Sequence, residues 1–438
     1  MINGRREPVA GSPIHPHHVA DLLVKVVKDV YELASYAVQW NLLVEACPAT
    51  IYQTFEWQFL WWEHFGKSKN RLLHILFFYD EERLVGIIPL FVEKASLGSV
   101  RLCNKLKMLG CGVPDKRFSP TLEEGPSDYL DGIVHPDYES EVAKAFVDYF
   151  RQHHVLYDEI ELRNISQKSY LFRHVVPLLH TLDIRCNIAS SDVCPQIRVP
   201  ASVDKFIESV HPNMRRRLRQ VRKAAASAGG QSIEIPDSQD ALVQTFHELV
   251  HLHQQRWNHL GYPGLFSDRR FENFAEELTR EFWERGVLWV KSIRMGGVCI
   301  AVRLGFKFKD RIYDYLSGFD DRPMFAKRRA GLALLLSMVE DAIESGIPIV
   351  DLLRGNEEYK FELTSAFNQN QTIVITNRMS MWKLRFLFYK GLHLLESAAR
   401  RFTREWLIMR IHYREYGAGS FLFRHVARLW ERLLKRTW

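Results

Sequence analysis

The sequence lacks the marks of secreted, membrane-spanning and metal-binding proteins. No apolar run approaches the roughly 20 residues that cross a bilayer, and the chain does not open with an apolar segment and a small-residue cleavage site. The six cysteines include no Cys-x-x-Cys pair, which indicates small buried thiols in a reducing compartment rather than metal ligands. We therefore expect a cytoplasmic protein without a bound metal.

Most of the chain has almost no net charge, because its positive and negative residues nearly cancel. The 438 residues carry a net charge of +7, but residues 380–438 alone carry +9 and the remainder carries −2. In the last predicted helix, Leu422, Val426 and Leu429 share one face while arginines share another. This pattern predicts a basic amphipathic helical extension that contacts an anionic membrane or a partner, or else packs on the body of the protein.

The body is long enough for two ordinary domains, and 47% hydrophobic residues exclude global disorder. Residues 1–45 read as a tail followed by a helix over Asp21–Val44. Residues 46–195 show an alternating α/β pattern, and Pro195–Pro200 is the predicted boundary. Residues 196–379 form a second α/β unit, and residues 380–438 form the extension.

One stretch of the second unit predicts an anion site. The strand Arg311–Asp320 is followed by a basic loop, a helix over Gly331–Ser345 and a short strand over Ile347–Leu353. A helix that follows a strand exposes its first N–H groups and the positive end of its dipole. The loop residues Lys327, Arg328 and Arg329 add positive charge, and Gly331 would let a pyrophosphate approach the backbone.

The spacing Arg328-x-x-Gly331-x-Ala333 resembles the coenzyme A pyrophosphate loop of GNAT acyltransferases. The segment Asp351–Lys360 resembles the closing signature of the BioF2-like (CelD-like) branch of that superfamily. Further resemblance lies at Trp57–Gly66, at Leu84–Leu90 and at Leu252–Trp257, so that it covers roughly residues 50–378. It implies tandem GNAT-like domains of α/β class, in which a degenerate first half accompanies a second half that binds the acyl-CoA.

The resemblance implies acyl transfer from acetyl-CoA or another acyl-CoA to an amine. The acceptor would be a small molecule or a glycan precursor of the cell envelope or of a polysaccharide. Tyr359 would protonate the departing thiolate, and Asp351 or Glu358 would take the proton of the amine. The residues expected to contact the acceptor are His253, Arg256, Trp257, Arg354 and Lys360.

A zinc hydrolase is an alternative, because His247-Glu248-Leu249-Val250-His251 spells a His-Glu-x-x-His string. The apolar stripe of this helix, however, turns His247 and His251 toward the polar side. A solvated helix face is therefore the favoured interpretation.

The run Met214–Lys223 holds five arginines and a lysine, yet no aromatic residues are interleaved with them. A solvated helical face explains this run, and nucleic acid is not an expected partner. A tRNA contact would belong to a transferase of FemABX type that uses aminoacyl-tRNA. A non-catalytic accessory protein of polysaccharide biosynthesis is the remaining alternative.

Overall fold

A computed structural model describes residues 22–97, 100–112, 125–153, 156–182, 184, 186–226, 231–260, 262–322, 325 and 329–376, together with positions 391, 395 and 406. The predicted extension 380–438 and the loop residues Lys327 and Arg328 otherwise lie outside these residues. Within the described part of the chain, no helix is long and apolar enough to cross a membrane.

The first half consists of short strands and helices. Its strands are β1 Leu23–Val27, β2 Arg71–Leu73, β3 Ile75–Asp80, β4 Arg83–Ile88, β5 Leu90–Leu97, β6 Val100–Met108, β7 Ile133–Val134 and β8 Glu159–Ser166. Its helices are α1 Val30–Ala34, α2 Ala37–Ala46, α3 Phe55–Trp61, α4 Glu139–Gln152 and α5 Val176–Thr181.

The second half begins with a long strand and is richer in helix. Its strands are β9 Cys186–Arg198, β10 Gln231–Glu234, β11 Leu288–Met295, β12 Val298–Phe308, β13 Arg311–Phe319, β14 Ile349–Asp351 and β15 Phe367–Thr376. Its helices are α6 Val203–Ser209, α7 Pro212–Ala226, α8 Gln239–His259, α9 Arg269–Glu284, α10 Ala330–Glu344 and α11 Glu358–Leu363.

Among the described residues, eleven strands from both halves form one sheet in the order β10-β11-β12-β13-β14-β9-β15-β8-β6-β5-β2, and β1-β3-β4-β7 form a second sheet. Strand β9 joins the halves, because Cys186–Pro195 pair with β15 while Gln196–Arg198 pair with β14. The boundary predicted at Pro195–Pro200 thus falls at the end of a continuous strand. The division at 195/196 stays a prediction.

The prediction of one helix over Asp21–Val44 is wrong. Residues Leu23–Val27 form β1, which pairs antiparallel with β3, and two short helices follow. The segment Leu-Val-Lys-Val-Val is rich in valine, which favours a strand. The side chain of Asp29 then caps α1 by accepting hydrogen bonds from the N–H groups of Tyr31 and Glu32.

Two predicted strands are each divided between the sheets. The segment Leu72–Tyr79 breaks at His74, and Arg83–Glu93 breaks at Pro89, so that β2 and β5 enter the large sheet while β3 and β4 enter the small one. Proline cannot donate to a strand ladder, which explains the second break. The predicted strand Tyr129–Val134 is reduced to Ile133–Val134. Tyr129 instead donates to Asp351 of the second half, and Asp131 accepts from the N–H groups of Tyr170 and Leu171.

The largest hydrophobic cluster among the described residues includes side chains of both halves, and two smaller clusters lie in the second half. Trp57 of α3 packs edge-to-face on Phe274 of α9 and Phe306 of β12, with ring centres 5.5 and 5.7 Å apart. Trp57 also donates a hydrogen bond of 2.7 Å from its indole nitrogen to the Ser127 hydroxyl. The halves are therefore packed together by buried aromatic rings as well as by the sheet.

Candidate active site

The parallel strands β13 and β14 separate after a short paired stretch. Only three residue pairs join them, from Arg311–Ile349 to Tyr313–Asp351. Beyond that point β13 continues to Phe319, while the chain after Asp351 turns toward β9, where the Leu352 N–H donates to the Pro195 carbonyl at 2.9 Å. The result is a wedge between two diverging strands.

A β-bulge lies at the mouth of this wedge. The register between β12 and β13 shifts so that Leu304 faces Leu316 while Gly305 faces Asp314, which leaves Tyr315 as the extra residue. A bulge bends its strand and re-aims side chains. The Tyr315 hydroxyl donates to the Pro126 carbonyl at 3.1 Å, so the bulge also contacts the first half.

A buried ion pair beside the wedge was not predicted from the sequence. Arg303 of β12 bonds to Asp314 of β13, and each side chain is about 5% exposed. The Arg303 guanidinium also donates to the Gly331 carbonyl at 3.0 Å. This arginine thereby connects the edge of the wedge to the first turn of α10. The available signal was a charged residue within the apolar first part of β12.

Helix α10 begins where the sequence predicts an anion site. Arg329 precedes it in a left-handed conformation (φ 51°), and the side chain of this residue makes no capping hydrogen bond to the helix. Its side chain is exposed. A non-glycine residue in this conformation is strained, and such strain is common at ligand sites.

Gly331 allows β13 and α10 to approach each other closely. A Cβ atom built on Gly331 would lie 2.9 Å from Cδ1 of Phe319, the last residue of β13. Ala333, the second small residue of the predicted loop, is half-buried. The glycine therefore has a packing role in addition to the predicted approach of a pyrophosphate.

Tyr359 lies in the first turn of α11, as the sequence predicts. It is 37% exposed, and burial together with the charge of Asp314 raises the pKa of its hydroxyl above the ordinary value. A hydroxyl with a raised pKa stays protonated at neutral pH and is available as a donor. Glu358, beside it, is exposed.

Asp351 is enclosed at the end of β14 and is 0% exposed. Its carboxylate accepts hydrogen bonds from the Tyr129 hydroxyl at 3.0 Å and from the Leu353 N–H at 3.0 Å, and from Gln196 at 2.5 Å. Burial raises the pKa of this carboxyl to about 6, against the opposing charge of Arg311. Every bond named here is internal to the protein.

Two of the predicted acceptor-binding cations are also engaged internally. Arg354 forms an ion pair with Asp128 at 2.8 Å and donates to the carbonyls of Gly125 and Ser127. Lys360 is buried and donates to the Arg354 carbonyl at 2.7 Å. Both side chains therefore fix the turn after β14 in this structure.

Arg256 differs from these two cations. Its guanidinium carbon lies 4.3 Å from the centre of the Phe319 ring and 5.8 Å from that of Trp257. Within the described residues it has no ion-pair partner. Burial lowers the pKa of its guanidinium, against the attraction of Tyr359 and Asp321. Arg256 is thus a partly desolvated cation close to the tyrosine that opens α11.

His253 belongs to the core rather than to the surface of the wedge. It is 5% exposed, and its ring packs against Trp257 and edge-to-face on Phe266. Burial lowers the pKa of its imidazole to about 4. Helix α8 approaches β13 here because Gly318 has no side chain; a Cβ on it would lie 2.7 Å from the Leu249 carbonyl oxygen. Contact between His253 and a substrate stays a prediction.

The His-Glu-x-x-His string lies along a surface cavity of about 510 Å³ beside Cys299. One guanidinium nitrogen of Arg294, Nη2, donates to both carboxylate oxygens of Glu248 at 2.7 and 2.8 Å, and His247 lies 3.6 Å from Glu276. Among the described residues, no group of three or more His, Cys, Asp or Glu could hold a metal ion. The carboxylate that a zinc hydrolase would use as its base is instead bound to an arginine.

A comparison with known families shows what the part of the chain around this wedge is similar to. Residues 212–361, from α7 to α11, match the model described as the acetyltransferase (GNAT) domain. These residues therefore form a domain similar to the GNAT acetyltransferases. The α/β class and the GNAT resemblance expected for the second half are confirmed, and the match lies in the half that contains the wedge. The GNAT-like character of the first half stays a prediction.

Solved structures resemble most of the chain. A structure of FemX is 10% identical and aligns with 78% of this chain and 96% of its own at a TM-score of 0.53, which shows a shared fold. L-PGS from Bacillus licheniformis is 12% identical, with 81% and 96% covered and a TM-score of 0.43. A tandem GNAT protein from the clavulanic acid biosynthesis pathway is 11% identical, with 82% and 99% covered and a TM-score of 0.38. No curated protein matches the chain.

Proposed function

We propose that this GNAT-like domain transfers an acyl group from an acyl-CoA to an amine, and that the reaction takes place in the wedge between β13 and β14. Acetyl-CoA is the simplest donor with which to test it. The observation that carries the proposal is the early separation of these strands at Tyr313 and Asp351, within the residues that match the GNAT model. In GNAT enzymes the acyl chain lies where two neighbouring strands splay. The first turn of α10 lies close to the end of β13, and the N–H groups at a helix start bind phosphate groups. This supports a pyrophosphate site at that turn.

The residues around α10 fit the donor. The helix start is not capped by the Arg329 side chain, and Gly331 presents no side chain. A pyrophosphate bound there would accept hydrogen bonds from backbone N–H groups, while Arg329 supplies positive charge. Lys327 and Arg328 remain part of the proposed donor site on sequence grounds.

The chemistry requires a neutral amine, a polarised thioester and a proton for the leaving thiolate. We assign that donation to Tyr359, because its hydroxyl is protonated at neutral pH and the charges of Arg303 and Arg256 would stabilise the phenolate that it leaves. Of the two predicted carboxylates, Glu358 is exposed on the same helical turn, whereas Asp351 is enclosed. We therefore assign the proton of the amine to Glu358, by way of water.

The acceptor carries an anionic group beside its amine. Arg256 lies near Tyr359 and Phe319 and has no ion pair in the described chain, whereas Arg354 and Lys360 are engaged. A partly desolvated guanidinium gains most from an anion that it can bind with two hydrogen bonds. Small anionic amines and phosphorylated or acidic glycan precursors meet this requirement.

The test is a donor and acceptor screen on the whole chain. Calorimetry should show binding of acetyl-CoA, and thiol release from acetyl-CoA should rise when a panel of anionic amines is added. Dephospho-CoA, which retains the pyrophosphate, and free pantetheine, which lacks it, serve as the two controls. Folded protein that binds neither acetyl-CoA nor longer acyl-CoA molecules would contradict the proposal.

A second candidate is transfer from an aminoacyl-tRNA, and one surface favours it. Helix α7 buries Met214, Leu218 and Val221, while Arg216, Arg219 and Lys223 lie exposed on the other side without an ion pair among the described residues. Such a stripe suits a phosphate backbone. Filter binding of charged tRNA, with Arg216→Gln/Arg219→Gln/Lys223→Gln as the variant, separates this candidate from the first.

A further inference from the structure

The segment Gly125–Tyr129 of the first half, here named the bridging segment, lies across the wedge of the second half. Its Pro126 carbonyl accepts a hydrogen bond from Tyr315 of β13, and its Tyr129 hydroxyl donates to Asp351 of β14. The side chains of Asp128 and Tyr129 are buried. The bridging segment therefore contacts both strands at the point where they diverge.

The bridging segment also holds the turn after β14. The Arg354 side chain ion-pairs with Asp128 at 2.8 Å, and its guanidinium donates to the carbonyls of Gly125 and Ser127 at 2.8 and 2.7 Å. Three acceptors from one segment thus surround a single arginine of the other half. A half-buried arginine that is bound by a carboxylate and by backbone carbonyls is fixed in position, because each lost bond would leave a partly desolvated group without a partner.

The turn that Arg354 belongs to is strained. Leu353 adopts φ +55°, which is unfavourable for a bulky residue, and Gly355 adopts φ +139°. Such a conformation persists only when its surroundings determine it. Here the Asp351 carboxylate accepts the Leu353 N–H at 3.0 Å, and the Gly355 N–H donates to the Val193 carbonyl at 3.2 Å.

Helix α11 is connected to the same turn. The Lys360 ammonium group donates to the Arg354 carbonyl at 2.7 Å and lies 3.2 Å from the Glu357 carboxylate that precedes the helix. Tyr359 is the adjacent residue. A shift of the turn would therefore move the start of α11 and the Tyr359 hydroxyl with it.

We propose that the first half positions the active site: Asp128 holds the Leu353–Gly355 turn through Arg354, and the turn holds α11 and Tyr359 through Lys360. Asp128 and Arg354 are positioning residues in this scheme, and neither touches the reacting atoms. The proposal rests on the proposed function for its effect on turnover. Its structural part, the dependence of the turn on Asp128, stands independently.

The test compares Asp128→Asn and Asp128→Ala with the unaltered chain. Asparagine keeps the shape but removes the charge, so it provides a folded variant if alanine fails to fold. Hydrogen exchange of peptides spanning residues 349–363 should accelerate in the variants. Thiol release from acetyl-CoA should fall by roughly 10²-fold, as expected when a catalytic group is displaced by about 1 Å, with the affinity for acetyl-CoA unchanged.

Lys309→Met is the matched control. Lys309 also joins the halves, since its ammonium group donates to the carbonyls of Val44 and Cys47 at the end of α2. Its removal should lower the melting temperature without accelerating exchange over 349–363 or lowering thiol release. Equal acceleration in Lys309→Met would mean that any loosening of the halves disturbs the turn, and would overturn a specific role for Asp128.

A double-mutant cycle distinguishes positioning from separate effects. If Asp128 and Arg354 act as one unit, Asp128→Ala/Arg354→Met should lose no more thiol release than the worse single variant. Additive losses would contradict the proposal, as would native exchange over 349–363 in both Asp128 variants. Accelerated exchange in a protein that binds no acetyl-CoA would support the structural part while rejecting the proposed function.

Discussion

The guanidinium of Arg256 lies over the ring of Phe319, with 4.3 Å between the guanidinium carbon and the ring centre. The same ring lies against Gly331 in the first turn of α10. Phe319 therefore contacts both the cation proposed for the acceptor and the helix proposed for the donor. In the proposed function the two substrates therefore meet at the open end of β13.

Arg256→Gln tests the anionic acceptor. The substitution removes a charged donor whose hydrogen bonds to an anion are worth about 1.5–3 kcal/mol, so kcat/KM for anionic amines should fall roughly 10- to 100-fold. Neutral amines should be affected much less. Thiol release across a matched panel of amines measures both, with Arg269→Gln, an exposed arginine on α9, as the control. An equal loss for neutral amines would reject charge recognition.

Tyr359→Phe tests the proton donor. The hydroxyl is partly exposed, so its loss should leave the fold and the affinity for acetyl-CoA unchanged. Turnover should fall by roughly 10²- to 10⁴-fold, the range for loss of a general acid. Rapid thiol detection and calorimetry on the same preparation separate the two quantities. Unaltered turnover would show that Tyr359 has no part in proton transfer.

Gly331→Ala separates the packing of α10 from the binding of the pyrophosphate. The added methyl group would press on Phe319, and Phe319→Leu should relieve that contact. We expect the double variant to regain thermal stability without regaining affinity for acetyl-CoA, because the methyl group still blocks the backbone. Recovery of both quantities together would mean that Gly331 serves packing alone.

His253 predicts a dependence of stability on pH. Above pH 6.5 the imidazole of His253 is neutral in both the folded and the unfolded chain. Below pH 6.5 the imidazole takes up a proton in the unfolded chain, but in the folded chain it stays neutral because its pKa there is about 4. Stability should therefore fall as the pH drops from 6.5 to 4, by up to about 3 kcal/mol from this residue.

Urea unfolding at several pH values measures this effect. His253→Gln should show the smaller loss on acidification, and His74→Gln provides the comparison, since burial also lowers the pKa of His74 to about 4. The quantity compared is the slope of the free energy of unfolding against pH. The absolute free energy is not compared, because either substitution changes core packing. Parallel slopes for His253→Gln and the unaltered chain would contradict a buried neutral imidazole.

Local patterns in the sequence were sufficient to predict much of the second half. The strand before α10, the helix itself, the short strand β14 and the position of Tyr359 all follow from apolar spacing and from the closing signature. The segment Leu23–Val27 was misread because a helical spacing of apolar residues coincided with a run of valines. Its pairing with β3, some 50 residues away, decided the outcome.

The contacts that complete the site could not be predicted from the sequence. Asp128 and Arg354 are 226 residues apart, and neither lies in a pattern that points to the other. Arg303 and Asp314 are separated by only 11 residues, but their pairing depends on the register of β12 and β13 and on the bulge between them. The residue types indicated which side chains are candidates for binding or catalysis. The tertiary structure determined which of them already form ion pairs or hydrogen bonds within the protein.

The most direct test of the account is the structure of the chain with acetyl-CoA bound. We expect the pyrophosphate on the N–H groups at the start of α10, and the acetyl carbonyl between β13 and the turn after β14 within reach of the Tyr359 hydroxyl. A nucleotide bound away from Gly331, or an acetyl group outside the wedge, would contradict the account.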